Sequence, residues 1–530
     1  MTRRFRSLLT ALALAAGSAL AAPDPAVVKQ LADDDNTRKI EAIRQLTQSA
    51  EPAARRLLQA MAEDRLVLAG GRLLIVDDGQ ASDAASGAPA ALPNTPASPE
   101  PITINNRVRG ELASAIAALD LFAAERSVRL EAARRLQSKA GAELAPLLTR
   151  ALAGELDAEI RALLSVAKAQ ADLASRDPAV RRGAVLLLGD TASPAARALL
   201  LPLTEQANEP DNRVRYAAIS AVKAIDKRLA NAENLGRIFT GLSLGSILLL
   251  AALGLAITYG VMGVINMAHG ELLMVGAYSA YAVQSLFRSH LPDYIDWYLP
   301  AAIPLAFFAA AAVGVLMERT VIRWLYGRTL ETLLATWGLS LILIQAARVL
   351  FGAQNVELAN PSWMSGGVEL MPNLVLPWNR IVIIGFALFV LFLVWVLMNR
   401  TRLGMFVRAV TQNRAMAGCV GVPTARIDTL AFALGAGIAG LGGVALSQIS
   451  NVGPDMGQGY IVDSFMVVVV GGVGQLAGAV WAALGLGIFS KLLEGWAGAV
   501  VAKIAILVCI IIFIQKRPQG IFALKGRFVD

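Results

Sequence analysis

An ionisable pair inside a long apolar stretch is the feature of this 530-residue chain that comes closest to reaction chemistry. His269 and Glu271 flank Gly270 within residues 264–286, which are otherwise mostly apolar. Titratable side chains at membrane depth are costly unless they face a bundle interior or an aqueous cavity, and a glycine offers a break where backbone groups can face a solute. We therefore weigh two roles equally: contact with a solute, or a structural pair that caps a broken helix.

The sequence contains no residue pattern typical of a metal site, a cofactor site or a catalytic nucleophile. The chain has two histidines, His269 and His290, and two cysteines, Cys419 and Cys509, without CxxC spacing, which disfavours zinc sites and disulfide frameworks. The glycine-rich segment 471–478 lacks the Lys-Ser/Thr ending of a phosphate loop. We expect no catalytic residue, no metal and no cofactor, and an ATP-driven step would require another polypeptide.

Two halves of different composition must position these residues. Charged residues make up 17% of the chain and hydrophobic residues 56%, whereas roughly 25% are charged in an average soluble protein. Before Gly236 there are 30 Lys and Arg against 28 Asp and Glu, and from Gly236 onward 18 against 12. The first half is typical of a soluble domain. The second half is typical of a membrane protein. Its excess positive charge lies in short loops between apolar runs, where the positive-inside rule explains it without a nucleic-acid partner.

The first residues predict export. Arg3, Arg4 and Arg6 precede an apolar run from Leu8 to Ala16, and small residues follow up to residue 22. This order is typical of a cleaved secretory signal peptide, since the apolar run is too short to span a bilayer. We therefore expect residues 1–22 to be a signal peptide and residues 23–235 to form an exported, periplasmic domain.

The exported part carries a degenerate helical repeat. A pair of one β-branched apolar residue and one arginine recurs at 128–129, 160–161, 180–181 and 214–215, in Ala- and Leu-rich segments with apolar residues three and four apart. The pattern resembles a HEAT-type solenoid, which is more often a docking surface or spacer than an active site. Residues 66–106 interrupt it: 66–76 predict a β-hairpin about Gly70 and Gly71, and 81–101 a flexible loop.

From residue 236 to 530 the apolar runs reach membrane-spanning length. We expect an all-α transmembrane bundle of about eight or nine spans. The predicted spans are 238–260, 264–286, 297–317, 333–351, 381–398, 430–449, 461–473, 476–493 and 497–514. Arginines and lysines concentrate after the third, fifth and ninth spans, which places those loops and the C-terminus in the cytoplasm if the mature N-terminus is outside.

Five motifs in this half resemble a known family. They lie at 259–271 with 276–278, at 336–341, at 402–409, at 471–474 and at 517–520. Together they resemble the permeases of branched-chain amino acid, amide and urea ABC importers. The long exported extension, Thr336-Trp337 and the segment Trp363–Gly367 are most similar to the urea branch. The resemblance implies a non-catalytic permease subunit of a bacterial inner-membrane importer.

The resemblance also implies partners and a coupling loop. The expected partners are ABC ATPase subunits, a second related permease, a periplasmic substrate-binding protein and membrane lipid, with no nucleic acid. The residues carried over to an ATPase coupling loop are Gly404, Arg408, Ala409, Asn413, Ala417 and Gly421.

Residue type and span position predict the solute pathway. Urea is neutral and strongly hydrogen-bonding, so amide and hydroxyl side chains suit it better than fixed charge. The predicted pathway residues are Asn266, His269, Glu271, Thr336, Ser340, Gln345, Ser447 and Gln448. Three alternatives stay open: a branched-chain amino acid or short-amide permease of the same family, a stand-alone channel or secondary transporter with His269 and Glu271 as a proton relay, and a scaffold anchored by the bundle.

Overall fold

The computed structural model describes residues 23–49, 51–77, 80–90, 100–137, 140–371 and 373–522. The predicted signal peptide therefore lies outside the described residues. The chain divides at Leu229 into two compact units. Most described residues are helical, and each unit has its own apolar core.

Unit 1 is built mainly from short helices. They are α1 Pro25–Gln30, α2 Asn36–Ser49, α3 Pro52–Ala62, α4 Asn106–Asp120, α5 Arg126–Leu136, α6 Ala145–Gly154, α7 Ala158–Asp172, α8 Pro178–Gly189 and α9 Pro194–Leu200, followed by the first part of α10 Asn212–Met262. Their buried faces form three successive apolar clusters, which contain Leu112, Leu148 and Leu188 respectively. Each cluster joins helices that are neighbours along the chain, as expected for stacked helices; the likeness to HEAT repeats stays a prediction.

A five-stranded antiparallel sheet interrupts these helices. Its strands are β1 Leu66–Ala69, β2 Arg72–Asp77, β3 Gln80–Asp83, β4 Pro89–Ala90 and β5 Glu100–Pro101, in the order β4-β3-β2-β1-β5. Gly70 and Gly71 form the turn between β1 and β2, both at positive φ. The prediction of a flexible loop over 81–101 is wrong where β3, β4 and β5 form. The Asp83 carboxylate accepts hydrogen bonds from the backbone N–H groups of Ala85 and Ser86, which closes the turn that pairs β3 with β4.

The recurring arginines share one structural role. Arg129, Arg161, Arg181 and Arg215 each donate a guanidinium hydrogen bond to the backbone carbonyl six positions earlier, at 2.8–3.1 Å. The acceptors belong to Ala123, Glu155, Ser175 and Glu209. Each arginine thus closes the turn before its own helix. Of the apolar residues that precede these arginines, Ile160 and Val214 are buried, Val128 is half-buried and Val180 is exposed.

Two glutamates connect these turns in pairs. The Glu155 carboxylate binds Arg129 and its backbone carbonyl binds Arg161; Glu209 does the same for Arg181 and Arg215. The two glutamates lie 54 positions apart, and so do the aspartates that cap the next helices, Asp157 and Asp211. The helices α5-α6-α7 therefore correspond to α8-α9-α10 in these arginine–glutamate and aspartate-cap hydrogen bonds.

The Arg181–Glu209 pair should make unit 1 sensitive to acid. Hydrogen bonds from Arg181 hold the pKa of the Glu209 carboxyl below its ordinary value of 4.5, so the stabilisation is present above that value and is lost as the pH falls through the folded-state pKa. Replacing Glu209 with Gln should cost about 2 kcal/mol at pH 7 and flatten the acid dependence.

This loss of stability can be measured as the hydrogen-exchange protection of α8 in the full-length protein, corrected for the intrinsic exchange rate at each pH. Glu131→Gln is the control, because Glu131 forms only an exposed pair with Arg135. Equal protection loss in both variants would show that the buried pair does not support the fold.

Unit 2 consists of the rest of α10 and a helical bundle. The further helices are α11 His269–His290, α12 Tyr298–Thr320, α13 Thr329–Phe351, α14 Trp378–Arg400, α15 Arg402–Gln412, α16 Arg414–Cys419, α17 Thr424–Ser447, α18 Met456–Gly471, α19 Leu476–Ala497 and α20 Ala499–Lys516. A hairpin of β6 Gly367–Met371 and β7 Leu374–Pro377 precedes α14.

Seven helices in the described part of the chain are long and apolar enough to cross a membrane. All nine predicted spans coincide with helices, but α11 and α18 are not among the seven. Polar and ionisable residues lower the hydropathy of α11, and α18 has 16 residues, about 24 Å, against a hydrocarbon core of about 30 Å. The count of nine crossings therefore stays a prediction.

Candidate functional site

The centre of unit 2 is a break between α10 and α11. The second predicted span was placed from Val264, which is wrong, because Gly263 has φ +66° and the helix resumes only at His269. Side chains bind the backbone N–H groups exposed by the break: the Asn266 amide oxygen accepts from Ala268 at 3.0 Å, and the Thr336 hydroxyl accepts from Met267 at 3.1 Å. Two predicted pathway residues thus stabilise non-helical backbone.

His269 ties the start of α11 to α10. Its Nε2 lies 2.9 Å from the Ala251 carbonyl oxygen, and the side chain is fully buried. A carbonyl only accepts hydrogen bonds, so Nε2 carries the proton. The ring lies against Gly254, where the absence of a side chain leaves room for it. These contacts suit the structural role that the sequence left open.

Glu271 ties α11 to α13. The Ser340 hydroxyl donates to its Oε1 at 2.6 Å, and both side chains are buried. Within the described residues Oε2 has no hydrogen-bond partner. Asn266, His269, Glu271, Thr336 and Ser340 therefore form one cluster around the break, hereafter the break cluster.

The other predicted pathway residues lie elsewhere. Ser447 and Gln448 end α17, where the Tyr298 hydroxyl donates to the Gln448 side-chain oxygen at 3.2 Å and to the Ala359 carbonyl at 2.9 Å. Gln345 is exposed on α13.

Sequence reasoning missed three polar residues of this second cluster. Gln284 binds Ala359, and Asn379 binds the Gln448 carbonyl. Together with Tyr298 they are polar residues near the ends of apolar segments, and that position was the signal that could have identified them.

Glycines bring the backbones around the break cluster into contact. Gly254 faces Gly435, Gly270 faces Gly457, and Gly276 faces Gly440; at each of these positions an added Cβ would overlap the facing backbone. Such close approach is how membrane helices gain packing energy without a hydrophobic driving force. Helices α10, α11, α17 and α18 are therefore locked together, with the break cluster enclosed between them and α13.

The predicted coupling loop is a pair of short helices. Gly404 is buried against the Met398 backbone, Asn413 caps α16 by accepting from the Met416 N–H at 2.9 Å, Ala417 is buried, and Gly421 takes φ +90° in the turn that follows. These four predicted residues determine the shape of the two helices and do not offer side chains for contact with a partner. Ala409 is half-buried on α15.

The outward surface of α15 and α16 combines exposed arginines with apolar side chains. Arg408 is exposed and donates a long hydrogen bond of 3.4 Å to the Asn399 side-chain oxygen. Sequence reasoning missed Met405, Met416 and Val420, which are 52%, 61% and 75% exposed. Gly404, Val407 and Val410 recur every three residues and are buried. This spacing could have shown that the residues one position later, such as Met405 and Arg408, face outward.

Salt bridges anchor this helix pair to the bundle. Arg414 at the start of α16 binds both oxygens of Asp428 on α17, and its guanidinium lies 4.0 Å from the centre of the Tyr326 ring. Arg323 and Thr429 bind the buried Glu318 carboxylate in the same way at the end of α12. The outward surface is therefore held on a fixed base.

Comparison with known proteins decides the family. Residues 237–515 match the model of the branched-chain amino acid transport system permease component. The chain belongs to this family. No solved structure matches the chain.

Similar proteins carry corresponding names. The high-affinity branched-chain amino acid transport system permease protein BraD of Pseudomonas aeruginosa is 30% identical over 296 residues, which cover 54% of this chain and 95% of that protein. The LivH permease of Escherichia coli K12 is 29% identical over 293 residues, 54% of this chain and 94% of its own length. A probable LivH permease of Methanocaldococcus jannaschii is 26% identical over 291 residues, 52% and 88% respectively.

Membership gives the coarse function. The chain is a multi-pass membrane protein and a permease subunit of the ABC transporter type, and such permease subunits are non-catalytic. The family implies association with ATPase and substrate-binding components. The matched residues lie in unit 2 and include the break cluster and the helix pair α15–α16.

The glycine contacts can be tested by a matched pair of variants. In Gly276→Ala the new methyl group overlaps the Gly440 backbone, whereas a Cβ at Gly385 on α14 meets no atom within 4 Å. Both changes raise helix propensity, by up to about 1 kcal/mol, but overpacking should cost Gly276→Ala about 1–3 kcal/mol. We expect a lower unfolding temperature for Gly276→Ala in detergent and no decrease for Gly385→Ala. Equal unfolding temperatures would contradict the close approach of α11 and α17.

Proposed function

We propose that this chain is the permease subunit of an ABC importer that carries urea or a similar small amide into the cytoplasm. The family match over residues 237–515 carries the importer part of the proposal. The segment Trp363–Gly367, which resembles the urea branch, supports the substrate. Its Trp363 indole N–H donates to the Asp296 carbonyl at 3.1 Å, and Ser362 binds the Asp296 carboxylate at 2.6 and 2.7 Å.

The surroundings of this segment suit a neutral solute. Ala359 lies four residues before this segment, and its backbone carbonyl accepts hydrogen bonds from Tyr298 and Gln284. The Tyr298 hydroxyl also donates to the Gln448 side-chain oxygen. These side chains are uncharged hydrogen-bonding groups at the end of α17. A neutral amide needs donors and acceptors, whereas an amino acid also carries two ionised groups that need charged or dipolar partners.

A branched-chain amino acid is the second candidate substrate. BraD and LivH are named as branched-chain amino acid permeases, and they cover the same half of this chain. Importers of this type take much of their selectivity from a separate binding protein, so the permease alone leaves both substrates open.

We place the chain in a bacterial inner membrane with the C-terminus in the cytoplasm. The loops after α12, α14 and α20 carry clustered arginines or lysines, which favour the cytoplasmic side. Residues 23–235 would then be periplasmic, after removal of the signal peptide, and nine crossings would connect the two sides. The recurring arginine–carbonyl bonds of unit 1 support a HEAT-like docking domain there.

Uptake in a strain that lacks this protein tests the substrate. Reintroducing the gene should restore uptake of labelled urea and leave uptake of labelled leucine unchanged. ATP depletion should abolish the restored uptake, because the importer depends on a separate ATPase. Restoration of leucine uptake would favour the second candidate, and urea uptake without ATP would indicate a channel or secondary transporter.

Arg408 is the residue that we expect to contact the ATPase. It is exposed on a helix pair with a fixed base and an apolar outward surface. Arg408→Glu should leave the fold within about 0.5 kcal/mol but place an unpaired or repelled charge in the contact, at a cost of several kcal/mol of association. We expect normal membrane insertion, loss of uptake and weaker co-purification of the ATPase.

Arg319→Glu provides the control, since Arg319 is exposed at the end of α12 and lies outside the helix pair. Uptake at the unmodified rate by Arg408→Glu, at equal abundance, would remove Arg408 from the contact.

A further inference from the structure

A surface cavity in unit 1 is lined by charges of both signs. It has a volume of about 370 Å³ and lies between α2, α4 and the segment that leads into α6. This size falls in the range of about 300–1,000 Å³ that is typical of small-molecule sites. Arg44, Arg107, Glu111 and Glu143 line the cavity. The family match begins at residue 237, so the cavity lies outside the part of the chain that resembles other permeases.

One arginine nitrogen holds both carboxylates of the cavity. The Arg44 Nη2 donates to the Glu111 Oε1 at 3.1 Å and lies 3.0 Å from the Glu143 Oε1. In the described part of the chain, the second oxygen of each carboxylate has no hydrogen-bond partner. By contrast, Glu155 and Glu209 in the repeat bind their arginines through both oxygens. The carboxylates of the cavity therefore keep acceptor oxygens for another group.

The charges of the cavity do not balance locally. Two negative carboxylates share the single positive charge of Arg44, and all three side chains are 30–37% exposed. Ion pairs with such exposure contribute little to folding, because water competes for them. Arg107 lies one turn before Glu111 on α4, lines the same cavity and forms no ion pair or hydrogen bond with any residue that the structure describes. One surplus negative charge and one surplus positive charge therefore face the same space.

Gly141 leaves room for the Glu143 carboxylate at the cavity. An added Cβ at Gly141 would lie 2.9–3.0 Å from the carboxyl carbon and both oxygens of Glu143, closer than such atoms normally approach. The backbone of Gly141 has φ −82° and ψ 165°, which any residue can adopt. The turn itself therefore does not require glycine, and the missing side chain serves the position of the carboxylate.

The floor of the cavity is apolar. Ala115, Leu144 and Leu147 line it and are at most 8% exposed, whereas Gln48 and Asn106 add exposed amide groups to its wall. An ammonium group is a suitable partner for two carboxylates, and a guanidinium binds a ligand carboxylate through two parallel hydrogen bonds. A neutral solute would leave both surplus charges unpaired.

We propose that this cavity binds a free α-amino acid with an apolar side chain. The ammonium group of the ligand binds Glu111 and Glu143, its carboxylate binds Arg107, and its side chain lies on the apolar floor. The site goes beyond the proposed function, because it lies in unit 1 and does not depend on which solute the bundle carries.

Equilibrium dialysis of labelled leucine against the purified full-length protein tests the site. We expect saturable binding that Arg107→Gln and Glu143→Gln each weaken by about tenfold or more, the effect of losing one charged hydrogen bond. Gly141→Ala should also weaken binding, because its methyl group displaces the carboxylate without removing a charge. The absence of saturable binding, or unchanged affinity in Arg107→Gln and Glu143→Gln, would overturn the proposal.

Two variants outside the cavity are the controls. Glu131→Gln removes a carboxylate that forms only an exposed pair with Arg135, and Gly183→Ala adds a Cβ that meets no atom within 4 Å. Both should bind leucine with the unmodified affinity, and all variants should keep the unmodified unfolding temperature. Equal weakening in the controls and in the cavity variants would contradict a site at this cavity.

Competition by related compounds tests which charges the site recognises. N-acetyl-leucine lacks the ammonium group and leucinamide lacks the carboxylate, so each should compete about tenfold or more weakly than leucine. Urea should not compete. Competition by urea, or by either derivative as strongly as by leucine, would overturn the recognition of a zwitterion. Since uptake does not enter these measurements, normal urea uptake without leucine binding refutes only this site, and leucine binding at the cavity without urea uptake refutes only the proposed substrate.

Discussion

Unit 2 depends on one constraint: backbone hydrogen-bonding groups inside a membrane must be paired within the protein. The helical structure is interrupted between Met262 and His269, so the backbone groups there lose their helical hydrogen-bond partners. Asn266 and Thr336 bind two of them, and His269 returns to the Ala251 carbonyl. Asn266 and Thr336 follow from this requirement, because an apolar residue at either position would leave a buried backbone N–H unpaired. Glu271 and Ser340 bind each other instead.

The hydrogen bonds that pair the backbone at the break also set the position of α13. Thr336 and Ser340 face the break and Glu271, so the opposite side of the same helix, with Gln345, is turned outward. The inner side of α13 thus fixes which of its residues are exposed on the outside of the bundle. Glycine contacts fix α11 against α17 and α18 in the same region, so a structural demand at the centre of the bundle determines the surface at its edge.

Part of the architecture could be read from local patterns. Each of the nine predicted apolar runs coincides with a helix of unit 2, which also contains the short helices α15 and α16. The arginines at 129, 161, 181 and 215 marked equivalent turns in unit 1. Strands β3, β4 and β5 were missed, because segments rich in Ala, Ser and Pro have little strand preference. They form strands only through pairing: β3 with β2, β4 with β3, and β5 with β1. The exact start of α11 was missed because the run of apolar residues continues through the break.

The sequence by itself determined the family, the membrane helices and the candidate residues, because composition, periodicity and motif spacing are local properties of the chain. Only the tertiary structure decided how those residues are grouped. Five of the eight predicted pathway residues came together at the break and two at the end of α17, whereas Gln345 lies on the exposed side of α13. Which side of a helix is buried depends on contacts with helices far away in sequence, and in a membrane helix, apolar on nearly every side, local pattern does not contain that information.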